Sequence, residues 1–299
     1  MTDYGQELGF GLFLSPNVTD LEQTLELARL ADTTGLDVVA VQDHPYQARH
    51  VDAWTLLSVI AARTTAVRVA LDVANLPLRQ PVVLAKSVAS LDLLSGGRVE
   101  LGLGTGGFWD AIAAAGGPRR APGEAVDALV EAIGIIRGVW GLEGRKSVTV
   151  EGKHYSVKGL HAGPAPAHAV EIWLGAYRPR MLRVTGRLAQ GWLPSMGYAD
   201  PEALPGMNAV IDAAAEAAGR QPGAVRRMYN VFGRFGGGSG FLEGPPKAWA
   251  EQLAELTLEA GMSTYILGTG SIDDARRFAE EVAPAVRERV AAERARTPA

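Results

Sequence analysis

Leu91-Asp92-Leu93-Leu94-Ser95-Gly96-Gly97-Arg98-Val99-Glu100-Leu101-Gly102-Leu103-Gly104-Thr105-Gly106-Gly107 is the stretch on which the reading of this chain turns. It runs as a helix end, a tight Gly-Gly turn, a strand and a glycine-rich exit. Glycines at a strand exit remove side chains where a ligand must approach the backbone. From Gly102 to Gly107 the residues also satisfy G-x-G-x-x-G, the dinucleotide fingerprint of a Rossmann fold. That fold puts the motif in an early βαβ unit with a helix directly behind it. Here three βα units come first, and the helical pattern over 108–115 is cut short by Gly116-Gly117-Pro118. The context favours a barrel.

Outward from this stretch, apolar runs and helical patterns alternate. Strands are expected at 8–14, 37–42, 67–73, 98–103, 170–174, 191–194, 226–235 and 263–267. Helices are expected at 19–33, 53–63, 81–94, 123–139, 179–188, 207–218, 249–259 and 272–292. Residues 147–157 read as a small hairpin inserted after the fourth long helix, and Gly236-Gly237-Gly238-Ser239-Gly240 as a mobile loop after the seventh strand. Eight strands, each followed by a helix, predict a (β/α)8 TIM barrel, α/β in class. No linker rich in Pro, Gly or Ser divides the chain, so a single domain over 1–299 is expected.

The composition is that of an ordinary globular enzyme, 47% hydrophobic and 21% charged over 299 residues. A formal net charge of -4 argues against a broad nucleic-acid footprint. The absence of cysteine excludes a disulfide framework, a thiolate metal site and a cysteine nucleophile. The opening residues are polar and acidic without a signal-peptide pattern, and no run of about 18 apolar residues occurs. A cytoplasmic protein without a membrane span is the expectation.

In a barrel the chemistry sits where the strands end. A metal hydrolase wants several histidines or carboxylates converging there, but of five histidines three (His154, His161, His168) fall in or near the hairpin. A glycosidase wants two facing carboxylates, and Schiff-base chemistry a lysine at a strand end. The fourth, fifth and seventh strands end without carboxylates, and no strand ends in lysine. A barrel so short of reactive groups points to a cofactor that carries the chemistry. Gly175-Ala176-Tyr177-Arg178-Pro179 offers it a cradle: small residues, an arginine, and proline at a first helical position. An ordinary strand–helix turn with a solvated arginine is the competing reading.

These residues resemble the luciferase-like flavin/deazaflavin oxidoreductases. The likeness rests on Gln42-Asp43-His44, Asn75-Leu76-Pro77-Leu78-Arg79-Gln80-Pro81, Ala85-Lys86, Ser95-Gly96-Gly97-Arg98 and Gly102 to Gly106, with Ile172 to Ala176 and Leu188 to Trp192 further on. It spans nearly the whole chain and is most specific between 36 and 107. The resemblance implies a barrel holding the deazaflavin F420, or alternatively FMN, in its mouth. F420-dependent hydride transfer to or from a small organic substrate is then the first expected function. An FMN-dependent monooxygenase supplied by a flavin or F420 reductase is the second, and a flavin-binding protein without catalysis the third. A homodimer is the family expectation.

Carried over residue by residue, Asp43 and His44 match the acidic-His pair beside the ring. Asp72 and Val73 match a bulge that often has a non-proline cis peptide behind it. Thr105, Gly106 and Gly107 match the exit of the fourth strand, and Gly175, Ala176, Tyr177 and Arg178 the phosphate loop. His44 would donate or accept a proton. Asp43 would orient His44 or the ring, or else cap a turn; Asp72 would act as a functional acid, hydrogen-bond the ring or substrate, or cap a neighbouring turn. Phe13, Tyr46, Trp109, Tyr177 and Met196 are candidate walls. Arg79 looks functional in isolation; Arg98, at the barrel bottom, reads as structural, and Trp140 and Trp249 as core. Two departures matter. Gly107 stands where the sugar-phosphate dehydrogenases of the family carry glutamate, and Ala48 where they carry tryptophan, which argues against that activity. The bulge residue is usually small and uncharged; Asp72 is neither.

Overall fold

Eight parallel strands close on themselves, so no strand edge is left open. The structure is a computed structural model that describes residues 3–141, 144 and 146–296. Along the chain come β1 (Gly9–Leu14), α1 (Leu21–Thr33), β2 (Val38–Val41), α2 (Ala53–Arg63), β3 (Arg68–Asn75), α3 (Pro81–Ser95) and β4 (Val99–Gly104). Then follow α4 (Trp109–Ala114), α5 (Pro122–Val139), the hairpin β5 (Ser147–Glu151) and β6 (Ser156–His161), β7 (Ile172–Leu174) and α6 (Pro179–Leu188). Next are β8 (Gly191–Trp192), α7 (Leu204–Ala217), β9 (Arg226–Val231), β10 (Arg234–Phe235) and β11 (Glu243–Gly244). Last come α8 (Pro246–Ala260), β12 (Thr264–Gly268), α9 (Ile272–Arg277) and α10 (Ala283–Arg296). The barrel order is β1-β12-β9-β8-β7-β4-β3-β2, the expected (β/α)8 arrangement.

Local chemistry sets the boundaries. Gln80 caps α3 by accepting from the Val83 N–H, with Pro81 behind it where its missing N–H costs nothing. The same helix stops at Gly96 and Gly97, whose φ values of 74° and 85° only glycine adopts in succession without strain. Arg98 then donates to the carbonyls of Ala61 (2.7 Å), Val67 (2.9 Å) and Ser95 (2.9 Å), tying α2, β3 and the α3–β4 turn together below the barrel. It is structural, as expected. Trp140 and Trp249 are fully buried.

Strands covered on both faces read as continuous apolar runs, as in Val-Val-Ala-Val of β2. Their inward side chains, among them Val38, Ala40, Ala70, Trp173, Met228 and Ile266, fill the barrel with a packed core. The hairpin leaves the barrel and docks on α5, where the Glu131 carboxylate accepts the N–H groups of Lys153, His154 and Tyr155 at 2.9 Å each.

Three expectations need adjustment. The seventh barrel strand ends at Val231, because Gly233 lies where a Cβ would sit 2.3 Å from the Leu242 carbonyl; Arg234–Phe235 pairs instead with Glu243–Gly244. The glycine segment 236–240 joins these two short strands. The closing helix is interrupted by a π turn at Phe278–Val282 between α9 and α10. The Rossmann alternative is excluded by barrel closure.

Candidate active site at the mouth of the barrel

The mouth is shaped by a defect in β3. Its register against β4 shifts between Leu71 and Ala74, and the Asp72–Val73 peptide is cis. Val73 joins the packed barrel interior. Glycines make room for it: a Cβ on Gly104 would lie 2.5 Å from Val73 Cγ2, and one on Gly102 would lie 2.0 Å from the Leu71 carbonyl oxygen. Gly175 lies alongside, its notional Cβ 3.6 Å from Val73. The bulge, the exit of β4 and the loop after β7 are thus one contiguous floor.

Asp72 is 9% exposed, and its Oδ2 is buried with no hydrogen-bond partner. Burial pushes its carboxyl up to about 7, with the facing Asn230 amide of β9 opposing part of the rise. From Asn230 a polar chain continues: its Nδ2 donates to Ser195 Oγ at 2.9 Å, and the Ser195 N–H donates to Tyr177 Oη at 3.1 Å. The Tyr177 ring packs against Tyr198 with centroids 5.4 Å apart. Asn230 and Ser195 were not singled out from sequence, although a lone asparagine within the buried strand Met-Tyr-Asn-Val was an available signal.

Asp43 is only 2% exposed. Its carboxylate accepts a two-pronged bond from Arg79 (Nε to Oδ2 and Nη2 to Oδ1, both 2.7 Å) and the Asn75 N–H at 2.8 Å. Arg79 also donates to Asp52, which caps α2. This clamp fixes the ends of β2 and β3 to each other. Arg79 owes its place to strand adjacency, which residue spacing does not reveal.

His44 follows Asp43 and stands half-buried at the rim. Its Nδ1 is 2.7 Å from Tyr46 Oη. Phe108, directly after Gly107, meets its ring edge-on at 5.7 Å, and His50 lies 6.4 Å away between centroids. Desolvation lowers the basicity of His44; Asp43 opposes this and His50 adds to it. Burial raises Tyr46, which keeps its proton. His50, whose Nδ1 is buried without a partner, was missed from sequence, which had given His44 no second histidine.

In the loop after β7, Ala176 is buried and its carbonyl accepts from Trp192 Nε1 at 2.9 Å. Arg178 precedes α6 and is exposed, and its side chain makes no hydrogen bond or ion pair within the described residues. A helix beginning at Pro179 leaves its first N–H groups free of intrahelical partners. The ten-residue helix and the unpaired guanidinium therefore present an anion-ready corner. At the exit of β4, Thr105 Oγ1 bonds the Gly106 carbonyl at 3.2 Å. Gly106 (φ 88°) packs tightly on Pro77, while Gly107 faces open space. Of the candidate walls, Phe13 meets Phe232 edge-on at 6.2 Å beside a hollow of about 300 Å³ that also touches Gly268; Trp109 opens α4. Larger hollows lie away from the mouth, about 1060 Å³ over α6 and about 610 Å³ between α2 and α3.

A floor of glycine and Val73, one imidazole, one buried acid and an anion-ready corner suit a flat ring with a phosphate-bearing tail. The unspent Asp72 Oδ2 and Asn230 Oδ1 are polar atoms that such a ring can satisfy.

Comparison with known proteins agrees with this geometry. Residues 8–235 match the sequence model of the family described as luciferase-like monooxygenase. The chain is 34% identical over 201 residues to an F420-dependent glucose-6-phosphate dehydrogenase of Microbacterium testaceum, covering 65% of this chain and 58% of that one. It is 29% identical over 234 residues to the like-named protein of Kineococcus radiotolerans, covering 76% and 68%. Among solved structures, an F420-dependent secondary alcohol dehydrogenase in complex with an F420–acetone adduct superposes with a TM-score of 0.83. That pair is 19% identical and covers 94% of this chain and 99% of the other, a likeness of fold.

Proposed function

Because the chain belongs to the luciferase-like monooxygenase family, we propose that it is an F420-dependent oxidoreductase that moves hydride between the deazaflavin and a small organic substrate. We take it as one domain. The observation that carries this reading is the corner after β7, where unpaired Arg178 and the free start of α6 adjoin the floor made by Val73 and Gly175. The F420 dependence of the two relatives supports F420 over FMN.

Bound F420 supplies a two-electron hydride donor or acceptor. The chain's own residues do the rest. Arg178 and the α6 N–H groups would hold the phosphate. Val73 would back the ring. The Asp43–Arg79 clamp holds the backbone from which His44 projects, so Asp43 is a positioning residue. His44 moves the proton that accompanies hydride. With Nδ1–H donating to Tyr46, Nε2 is free to act as a base, and once protonated there the imidazolium is the acid for the reverse direction.

The relatives act on glucose 6-phosphate by name. Gly107 and Ala48 offer no polar or aromatic side chain for recognising a sugar phosphate, so the reading here is a different small organic molecule. The second reading, an FMN-dependent monooxygenase fed by a reductase, draws on the activity by which the family is described. Titrating purified protein with F420 and with FMN, followed by fluorescence, separates the two. Micromolar binding of F420 but not FMN supports the first, and the reverse replaces it with the second.

A homodimer is supported by α2 and α3, which expose Val83 and Leu94 beside the hollow between them and also Val59 and Leu93. Leu94, 86% exposed, is its most prominent side chain.

A further inference from the structure

We propose that Asp72 is a ligand-binding acid: as the neutral carboxylic acid it donates a hydrogen bond from the mouth floor to the ring of the coenzyme, and its ionisation weakens binding. This rests on the reading that an F420- or FMN-type ring fills the mouth.

The argument begins with placement. Asp72 shares the inward-facing bulge with Val73, in a layer whose neighbours at Gly104 and Gly175 bring no side chain. A carboxylate in such a site needs a cation or several donors. The one arginine at this end of β3, Arg79, is spent on Asp43 and Asp52. Asp72 receives only the neutral amide of Asn230, and burial raises its carboxyl accordingly.

Next comes unspent bonding capacity. Asn230 Nδ2 is engaged by Ser195, while Asn230 Oδ1 and Asp72 Oδ2 are both buried without partners. A protonated Asp72 therefore leaves one donor beside one unused acceptor. That is the complement of an imide edge, a carbonyl next to an N–H, which deazaflavin and flavin rings share. Ionised Asp72 offers an acceptor where a donor is needed, and places a charge there as well. The chain through Ser195 to Tyr177 links this acid to the loop after β7 that would hold the phosphate.

No other group of the mouth imitates this titration between pH 7 and 8. At the end of β2, His44 and His50 have lowered basicity and are already neutral above pH 7. Asp43 is paired with Arg79. In the loop after β7, Tyr177 is raised by burial and stays protonated. The exit of β4 carries Thr105 and glycines.

The test is the dissociation constant for F420, measured by fluorescence at pH 7 and pH 8 on the wild type and on Asp72→Asn. A group titrating near 7 loses about fivefold of its neutral form over that interval, so wild-type affinity should fall about fivefold. Asp72→Asn keeps a donor at both pH values and should show no such fall; if it does not fold, Asp72→Ser replaces it. The same titration with FMN reports the flavin ring. Wild-type binding that ignores pH, or a variant that retains the full fall, overturns the role of Asp72 alone. Failure of both rings to bind at pH 7 overturns the proposal together with the reading it rests on.

Discussion

Replacing Arg79 with alanine strips the Asp43 carboxylate, 2% exposed, of its cation and leaves it only the Asn75 N–H. Removing one partner of a buried pair costs about 3–5 kcal/mol, because the other charge stays behind uncompensated. The guanidinium itself is partly solvated, at 18% exposure, so the low end applies, about 3 kcal/mol. With an unfolding entropy of about 2.1 cal/mol/K per residue over 299 residues, this lowers Tm by about 5 °C. Asp43→Asn is expected to cost less, about 1–2 kcal/mol, because Arg79 keeps Asp52. The double variant should then cost about 2 kcal/mol less than the two single losses together. Thermal and urea unfolding followed by circular dichroism, run as a double-mutant cycle, reads all of these. Strictly additive losses, or an Arg79→Ala shift below about 1 °C, refute the buried-clamp reasoning. Asp52→Ala, removing a carboxylate 44% exposed, serves as the weak control, with loss of the α2 cap at about 1 kcal/mol.

Other outcomes follow from the same geometry. His44→Ala should reduce turnover on the order of 10²–10⁴-fold while coenzyme affinity changes little, and equal losses in both would make His44 a binding residue. Arg178→Ala should weaken coenzyme binding by roughly tenfold or more, with a loss that shrinks as salt is raised; a salt-independent effect would contradict a phosphate contact. At the barrel bottom, burial lowers His168, but hydrogen bonds and charges from Asp92 and Glu100 outweigh it and raise it overall. A raised histidine adds stability below its unfolded pKa near 6.5 and loses that contribution as pH climbs through the folded value. The stability advantage of wild type over His168→Gln should therefore be larger at pH 6 than at pH 8, and urea unfolding at both would expose the opposite trend. Leu94→Glu should convert a dimer into monomers on size-exclusion chromatography with light scattering, unless that face is not the one that pairs.

The barrel was legible because its signals are local and repeated: each strand is a short apolar run and each helix has its own start and stop residues, as at Gln80-Pro81 and Gly96-Gly97. The positions of Asp72 and Val73 came from resemblance, since nothing in their own spacing marks them, whereas the loop 175–178 was marked by its small residues, its arginine and the proline that follows. What stayed hidden depends on contacts between distant segments. Asp43 was read as orienting His44 or the ring, or capping a turn; its pairing with Arg79, 36 residues on, depends on β2–β3 adjacency and was not foreseen. On β9, Asn230 meets Asp72 from across the barrel, a partnership that its own strand does not encode. His50 reaches His44 through a turn that no hydrophobic period encodes.

The interlock of Val73 with Gly104 carries a lesson for how such a protein changes its chemistry over time. Bulk on one strand is matched by bareness on the next, so neither of the two can be enlarged by itself. Gly104→Ala without a smaller residue at 73 would collide, and enlarging 73 would close the same gap from the other side. Descendants and directed-evolution libraries alike should leave this pair untouched, and new substrate preferences should arise at the rim, where Gly107 faces open space and a side chain can be added without asking any other to move.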